Sequence, residues 1–229
     1  MQCCEIMEIV PGIHQVDGVS GNCYIIVRDG LTLIDTGLPK SGKKILSYIH
    51  DTLHKTPGEI RTIILTHYHI DHIGNVYELK NISGAKIAIH ERDADVVSGK
   101  IPMPAPKGVI GLFIKMFGIF MKARSFQPDF LLKDQDIIAG LTCIHTPGHT
   151  PGSICLADPE TRVLFVGDTL RFDGQKIEGP PEQFTLDMEQ THRSIKKIAS
   201  LDFVVLLSGH GIPLRNNASE KVREYCKTL

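Results

Sequence analysis

The 229-residue sequence has no tryptophan, and aromatic residues make up only 6% of it. It has no run of about 18 uncharged apolar residues, which argues against a membrane-spanning helix. Net charge is nearly absent too. The 25 Lys+Arg face 26 Asp+Glu, so a surface built to wrap nucleic acid or to sit on anionic lipid is not expected. None of the six cysteines forms a CxxC pair, which does not look like a disulfide framework in a chain of this size. The opening MQCCEIMEIVPGIH lacks the basic start and long apolar stretch of a secretory signal. A Gly/Pro/Ser-rich linker and a fixed-period repeat are also missing. These absences predict a reduced, cytoplasmic, globular chain with one domain spanning 1–229.

What is present alternates strand with helix. Asn22 to Val27 and Leu31 to Ile34 are β-branched, apolar runs separated by Arg28-Asp29-Gly30, a turn between strands. Lys40 to Leu53 carries Ile45, Leu46, Ile49 and Leu53 at helical spacing. Further strands are expected over 61–65, 86–89, 141–144, 153–157, 163–166 and 203–207, with helices over 188–198 and 219–226. Hairpins at the start followed by strand–helix alternation favour two sheets with helices outside them.

Residues 98–129 break this regularity as an apolar insertion. A proline cluster, IPMPAPKG, leads into VIGLFIKMFGIFM at 109–121, where Lys115 is the only charge. At about 20 Å this stretch is too short to span a bilayer. Two roles stand open: a buried or homodimer-forming helix, and a lid over an apolar substrate.

Eleven histidines are the compositional excess, and they are gathered. Directly after the RTIIL strand comes His67-Tyr68-His69-Ile70-Asp71-His72, the pattern H-x-H-x-D-H. In extended chain residues two apart point the same way, so His67 and His69 can converge on one ion. A helix starting near Asp71 would aim that residue and His72 toward a second ion. His149 follows a strand in a loop with two Pro-Gly turns, while Asp168 and His210 each follow a strand that ends in glycine. Donors fixed at strand tips suit a rigid site. Nitrogen and carboxylate donors without thiolate suit zinc, and also iron or manganese.

The motifs LIDTG at 33–37, THYHIDH at 66–72, TPGHTPGS at 146–153, FVGD at 165–168 and SGH at 208–210 together resemble the metallo-β-lactamase-fold hydrolases over nearly the whole length. The resemblance implies an α+β fold, a four-layer αββα sandwich, with two divalent metal ions along the edge between the sheets. It implies that His67, His69 and His149 bind the first ion, that Asp71, His72 and His210 bind the second, and that Asp168 bridges both. Asp35 would be a nearby supporting carboxylate, and His145 a satisfied strand-end histidine or a further support.

Such a site lowers the pKa of bound water to about 7. The expected reaction is attack of a metal-bridging hydroxide on the carbonyl of a β-lactam, lactone, ester or thioester, with Asp71 orienting the nucleophile and passing a proton to the leaving atom. Departures from subfamilies narrow this. Several β-lactamases of the fold carry Cys where Asp168 stands. Acyl-homoserine lactonases carry Tyr at the position of Arg171, and glyoxalase II enzymes add a C-terminal helical domain not matched after His210. The expected partner is a small molecule with an apolar acyl part. Arg171 and Lys176 are candidates to bind a substrate carboxylate, and Tyr68 to touch substrate. The alternatives are a phosphodiesterase or ribonuclease using the same two metals, and an iron persulfide dioxygenase.

Overall fold

The computed structural model describes residues 8–108, 111 and 123–229. Seven strands form the first sheet in chain order: β1 (Glu8–Val10), β2 (Ile13–Gln15), β3 (Tyr24–Val27), β4 (Leu31–Ile34), β5 (Ile60–Ile64), β6 (Lys86–His90) and β7 (Phe130–Leu132). Pairing is antiparallel from β1 to β4 and parallel from β4 to β7. The second sheet contains β8 (Ile137–Ile138), β9 (Leu141–His145), β10 (Ile154–Asp158), β11 (Val163–Gly167) and β14 (Val205–Ser208), in the order β14-β11-β10-β9-β8. Arg171–Phe172 and Ile177–Glu178, β12 and β13, make a small ribbon beside it.

Each sheet is buried on both faces, which is why its strands read as continuous apolar runs. Along β3 to β6 alternate residues diverge. Ile25, Leu33, Ile63 and Ile87 pack outward against Ile45 of helix α1 (Gly42–Ser47), Ile49 beyond it, and Val76 and Leu79 of α3 (Val76–Ser83). Tyr24, Ile26, Ile34 and Ile64 point inward and meet Leu156, Phe165 and Leu207 of the second sheet. On that sheet's far side Cys155, Leu164 and Leu206 pack on Ile195 and Ile198 of α5 (Met188–Ala199) and Val222 of α6 (Ala218–Cys226). Three apolar layers therefore separate four structural layers: helices, sheet, sheet, helices. This is the expected αββα sandwich.

Strand and helix positions match the sequence expectations to within about two residues. The Lys40–Leu53 helix differs from a regular α-helix: α1 passes into a wider, π-helical stretch, Tyr48–Thr52. Within 98–129, only 98–108, Gly111 and 123–129 are described, so the stretch 109–121 offered as lid or dimer contact lies outside the described residues apart from Gly111. No helix among the described residues is long and apolar enough to cross a membrane.

Candidate metal centre

Strand direction gathers the histidines. Strands β9 and β11 are both antiparallel to β10, and β14 is parallel to β11, so the C-terminal ends of β9, β11 and β14 share one edge. His149, Asp168 and His210 leave the sheet there. Chain leaving β5 supplies His67 and His69, and α2 (Ile70–Ile73) supplies Asp71 and His72.

All seven sequence-predicted residues come together. Ligand-type atoms converge within 4.8 Å in three sets: His67, His69 and His149; His67, His72 and Asp168; and Asp71, His72 and His210. His72 Nε2 lies 3.3 Å from Asp168 Oδ1, and His149 Nε2 lies 3.6 Å from Asp168 Oδ2. His210 Nε2 lies 3.1 Å from Asp71 Oδ2 and 3.3 Å from Asp168 Oδ2. Four zinc ligands at about 2.0–2.1 Å from a tetrahedral ion sit about 3.3 Å apart, so this spacing is that of a coordination shell.

The hydrogen-bond network assigns which imidazole nitrogen faces inward. The Thr66 hydroxyl donates to Asp35 Oδ2 at 2.7 Å and therefore accepts from His67 Nδ1 at 3.0 Å. The Thr185 hydroxyl donates to the Pro181 carbonyl at 2.9 Å and accepts from His149 Nδ1 at 3.1 Å. His72 Nδ1 donates to the Asp35 carboxylate at 2.8 Å. Three acceptors thus place a proton on three Nδ1 atoms and turn each Nε2 to the cluster. Those three Nε2 atoms and Asp168 Oδ1 are buried without a hydrogen-bond partner. Buried polar atoms left unpaired are costly, and cations held by the converging sets would satisfy them. The donor set fits a metal.

Charge follows the same division. Burial draws His67 well below the usual imidazole value, holds His69 at about 3 and lowers His149. Against burial, the Asp168 and Asp35 carboxylates raise His72, and hydrogen bonds to Asp168 and Asp71 push His210 up to about 9. Asp168 is held well below the carboxylate range and Asp71 at about 2, because their imidazole neighbours outweigh burial. Metal binding to such donors releases protons.

Several supporting residues were not legible in the sequence. Asp93, fully buried, accepts from Tyr68 N at 3.1 Å, the Thr150 hydroxyl at 2.8 Å and Gly152 N at 2.7 Å. It ties the loop of His67 and His69 to the loop of His149, and burial raises its carboxyl to about 7. Asn22 Nδ2 donates to the Ser208 and Gly211 carbonyls at 2.8 and 3.1 Å, latching the His210 turn to the first sheet. Thr185 belongs to this group as well. Of the supports, the sequence anticipated Asp35, through its place in LIDTG.

Other candidates fall elsewhere. His145 Nε2 donates to the Pro151 carbonyl at 2.9 Å, and its ring stacks on His90 at 4.0 Å, outside the cluster. Arg171 and Lys176 both pair with Glu178, which occupies the two cations offered for a substrate carboxylate. Tyr68 is buried yet borders a cavity of about 540 Å³ that opens onto His69, Asp71, His149, Asp168 and His210.

A four-layer sandwich with a histidine–aspartate cluster on the shared sheet edge defines a class of metal-dependent hydrolases. The family model of the metallo-beta-lactamase superfamily matches residues 16–210, and the chain belongs to that superfamily. It is 32% identical to "Probable metallo-hydrolase YflN" of Bacillus subtilis, over 90% of this chain and 86% of that one. It is 28% identical to the human "Acyl-coenzyme A thioesterase MBLAC2", over 64% of this chain and 54% of that one. Among solved structures, a class B3 di-zinc metallo-beta-lactamase, LRA-12, from an Alaskan soil metagenome superposes with a TM-score of 0.71 at 21% identity, covering 95% of this chain and 88% of that one. TTHA1623 in a di-iron-bound form gives 0.67 at 25% identity, covering 88% and 92%.

Proposed function

We propose that this protein is a two-metal hydrolase of small carbonyl compounds: β-lactams, lactones, esters or thioesters. The observation that carries the reading is the set of three inward Nε2 atoms and one carboxylate oxygen, buried and unpaired within the overlapping donor sets. In this reading His67, His69 and His149 would hold one ion, Asp71, His72 and His210 would hold the other, and Asp168 would add its carboxylate to the set. Zinc suits nitrogen and carboxylate donors at these spacings, with iron and manganese as the competing ions. When bound, such ions supply a water nucleophile at neutral pH and polarise the attacked oxygen.

The chain's own residues do the rest. Asp71, ionised and on the cavity wall, would take a proton from the nucleophilic water and pass that proton to the leaving atom. Asp35, Thr66 and Thr185 keep the imidazoles in the donor tautomer. Arg171 is compensated by Glu178, which favours a carbonyl substrate over a phosphodiester or nucleic acid. The unpaired thiols of Cys23, Cys143, Cys155 and Cys226 support a reducing, cytoplasmic setting.

Metal analysis of protein purified without added metal tests this, together with turnover of a chromogenic β-lactam, a lactone, a thioester and bis-p-nitrophenyl phosphate. About two zinc ions per chain and hydrolysis of a carbonyl substrate are expected. Predominant iron with oxygen consumption on a thiol substrate overturns the reading, as does turnover confined to the phosphodiester.

A further inference from the structure

The cavity beside the histidine–aspartate cluster has a mixed lining. It is bordered by His69, Asp71, His149, Asp168 and His210, and also by the apolar Leu38, Ile70, Met103, Pro104, Phe184 and Leu186. Its volume of about 540 Å³ falls in the range of small-molecule sites. Met103, Phe184 and Leu186 are among the large apolar side chains that stay exposed, at 38%, 38% and 37%. A gathering of exposed apolar side chains marks a ligand groove more often than chance does.

Two backbone segments supply Met103, Pro104, Phe184 and Leu186, the apolar wall of the cavity, and they are fastened together. Lys107 N donates to the Gln183 carbonyl at 2.7 Å, and Lys107 Nζ donates to the Leu186 carbonyl at 2.9 Å. The second segment is also fixed to the metal cluster, because Leu186 N donates to the His149 carbonyl at 3.3 Å and Thr185 supports His149 Nδ1. The apolar wall is therefore held in register with the ligands. Among the described residues the cavity has two cations. Arg171 is paired with Glu178, and Lys107 spends a donor on Leu186.

We infer that this wall is an acyl slot: it takes the linear apolar acyl chain of the substrate and sets specificity through Met103, Phe184 and Leu186. The inference rests on the hydrolase reading for its reaction but not for its binding. A chain lying along these side chains is withdrawn from water, whereas a short acyl group covers less of them. Affinity should therefore climb with chain length, by up to about 4-fold for each methylene buried, and level off where the wall ends.

The test uses the metal-loaded full chain and linear acyl hydroxamates from acetyl to decanoyl, titrated calorimetrically, with hydrolysis of the matching p-nitrophenyl esters measured in parallel. Affinity that rises with chain length in the wild type and flattens in Phe184→Ala and in Leu186→Ala supports the slot. Affinity independent of chain length overturns it, as does a profile that both substitutions leave unchanged. Both side chains are partly exposed, so their truncation leaves the core intact, and an unchanged melting temperature verifies that. Length-dependent binding without turnover of any ester, thioester, lactone or β-lactam keeps the slot and sinks the hydrolase reading; turnover with length-independent binding does the reverse.

Discussion

Asp35 Oδ2 accepts a hydrogen bond from His72 Nδ1 at 2.8 Å, with both side chains buried. The same carboxylate takes the Thr66 backbone N–H at 2.8 Å and the Thr66 hydroxyl at 2.7 Å, so only an acceptor on both oxygens serves. Asp35→Asn keeps size and shape and tolerates the left-handed backbone at φ 59°, but its amide nitrogen opposes a donor. Metal affinity should fall about 10–100-fold, with a further loss of about 1–3 kcal/mol in metal-free stability. Chelator competition and urea unfolding measure the two effects; wild-type metal affinity in this variant would refute the role given to Asp35.

Thr185→Val replaces a hydroxyl by a methyl at constant shape and removes the acceptor for His149 Nδ1. His149 is then free to turn its proton toward the cluster, and metal affinity should again drop about 10–100-fold. Thr185→Ser restores the acceptor and should restore affinity. If the valine and serine variants bind metal equally, the hydroxyl plays no part in holding His149.

Gly209 has no room for a side chain. A Cβ there would lie 2.1 Å from Asp168 Oδ1 and 2.5 Å from His72 Cε1. Gly209→Ala should displace both groups and abolish stoichiometric metal binding. Gly84→Ala is the control, because its site at φ 74° has nothing within 4 Å; it should cost about 1 kcal/mol through backbone strain and leave metal content unchanged. Elemental analysis and thermal melts of both variants decide the matter.

Acid stability has a separate source. Asp129 accepts from Lys80 Nζ at 2.7 Å, Lys86 Nζ at 3.0 Å and Ile87 N at 3.0 Å. Against its burial, these bonds hold its carboxyl at about 2, below the ordinary 3.8. A depressed carboxylate stabilises the fold above its unfolded pKa, and the contribution is lost as pH falls through the folded value. Asp129→Asn should therefore lower the urea midpoint fully above about pH 4, with the difference closing toward pH 2. A gap constant across that range would assign the effect to shape rather than charge.

The histidine–aspartate cluster was legible because part of its spacing is local. His67, His69, Asp71 and His72 sit in one turn of chain, and β-branched runs mark the strands that carry the other donors. The supports were not legible, since Asp93 and Thr185 meet their partners across 25 to 59 residues and are ordinary in composition. Short elements escaped for another reason. β1, β2 and β7 have three residues each, too few to display a period, and α2 and α4 (Ala94–Val97) are single turns. The fold class needed only the longer strands, whose two buried faces announced themselves as unbroken apolar runs.

The ligand-type atoms come from both sheets, and His210 follows the last strand in chain order. No partial set persists while the sheets are apart, because the loops from β5 and from β9, β11 and β14 meet only once the middle apolar layer has closed. Metal should therefore act late on the folding path. It should leave the refolding rate nearly unchanged and slow the unfolding rate, since it stabilises contacts absent from the barrier. Lifetime against heat and proteolysis, rather than speed of folding, is what a resident ion would give this chain.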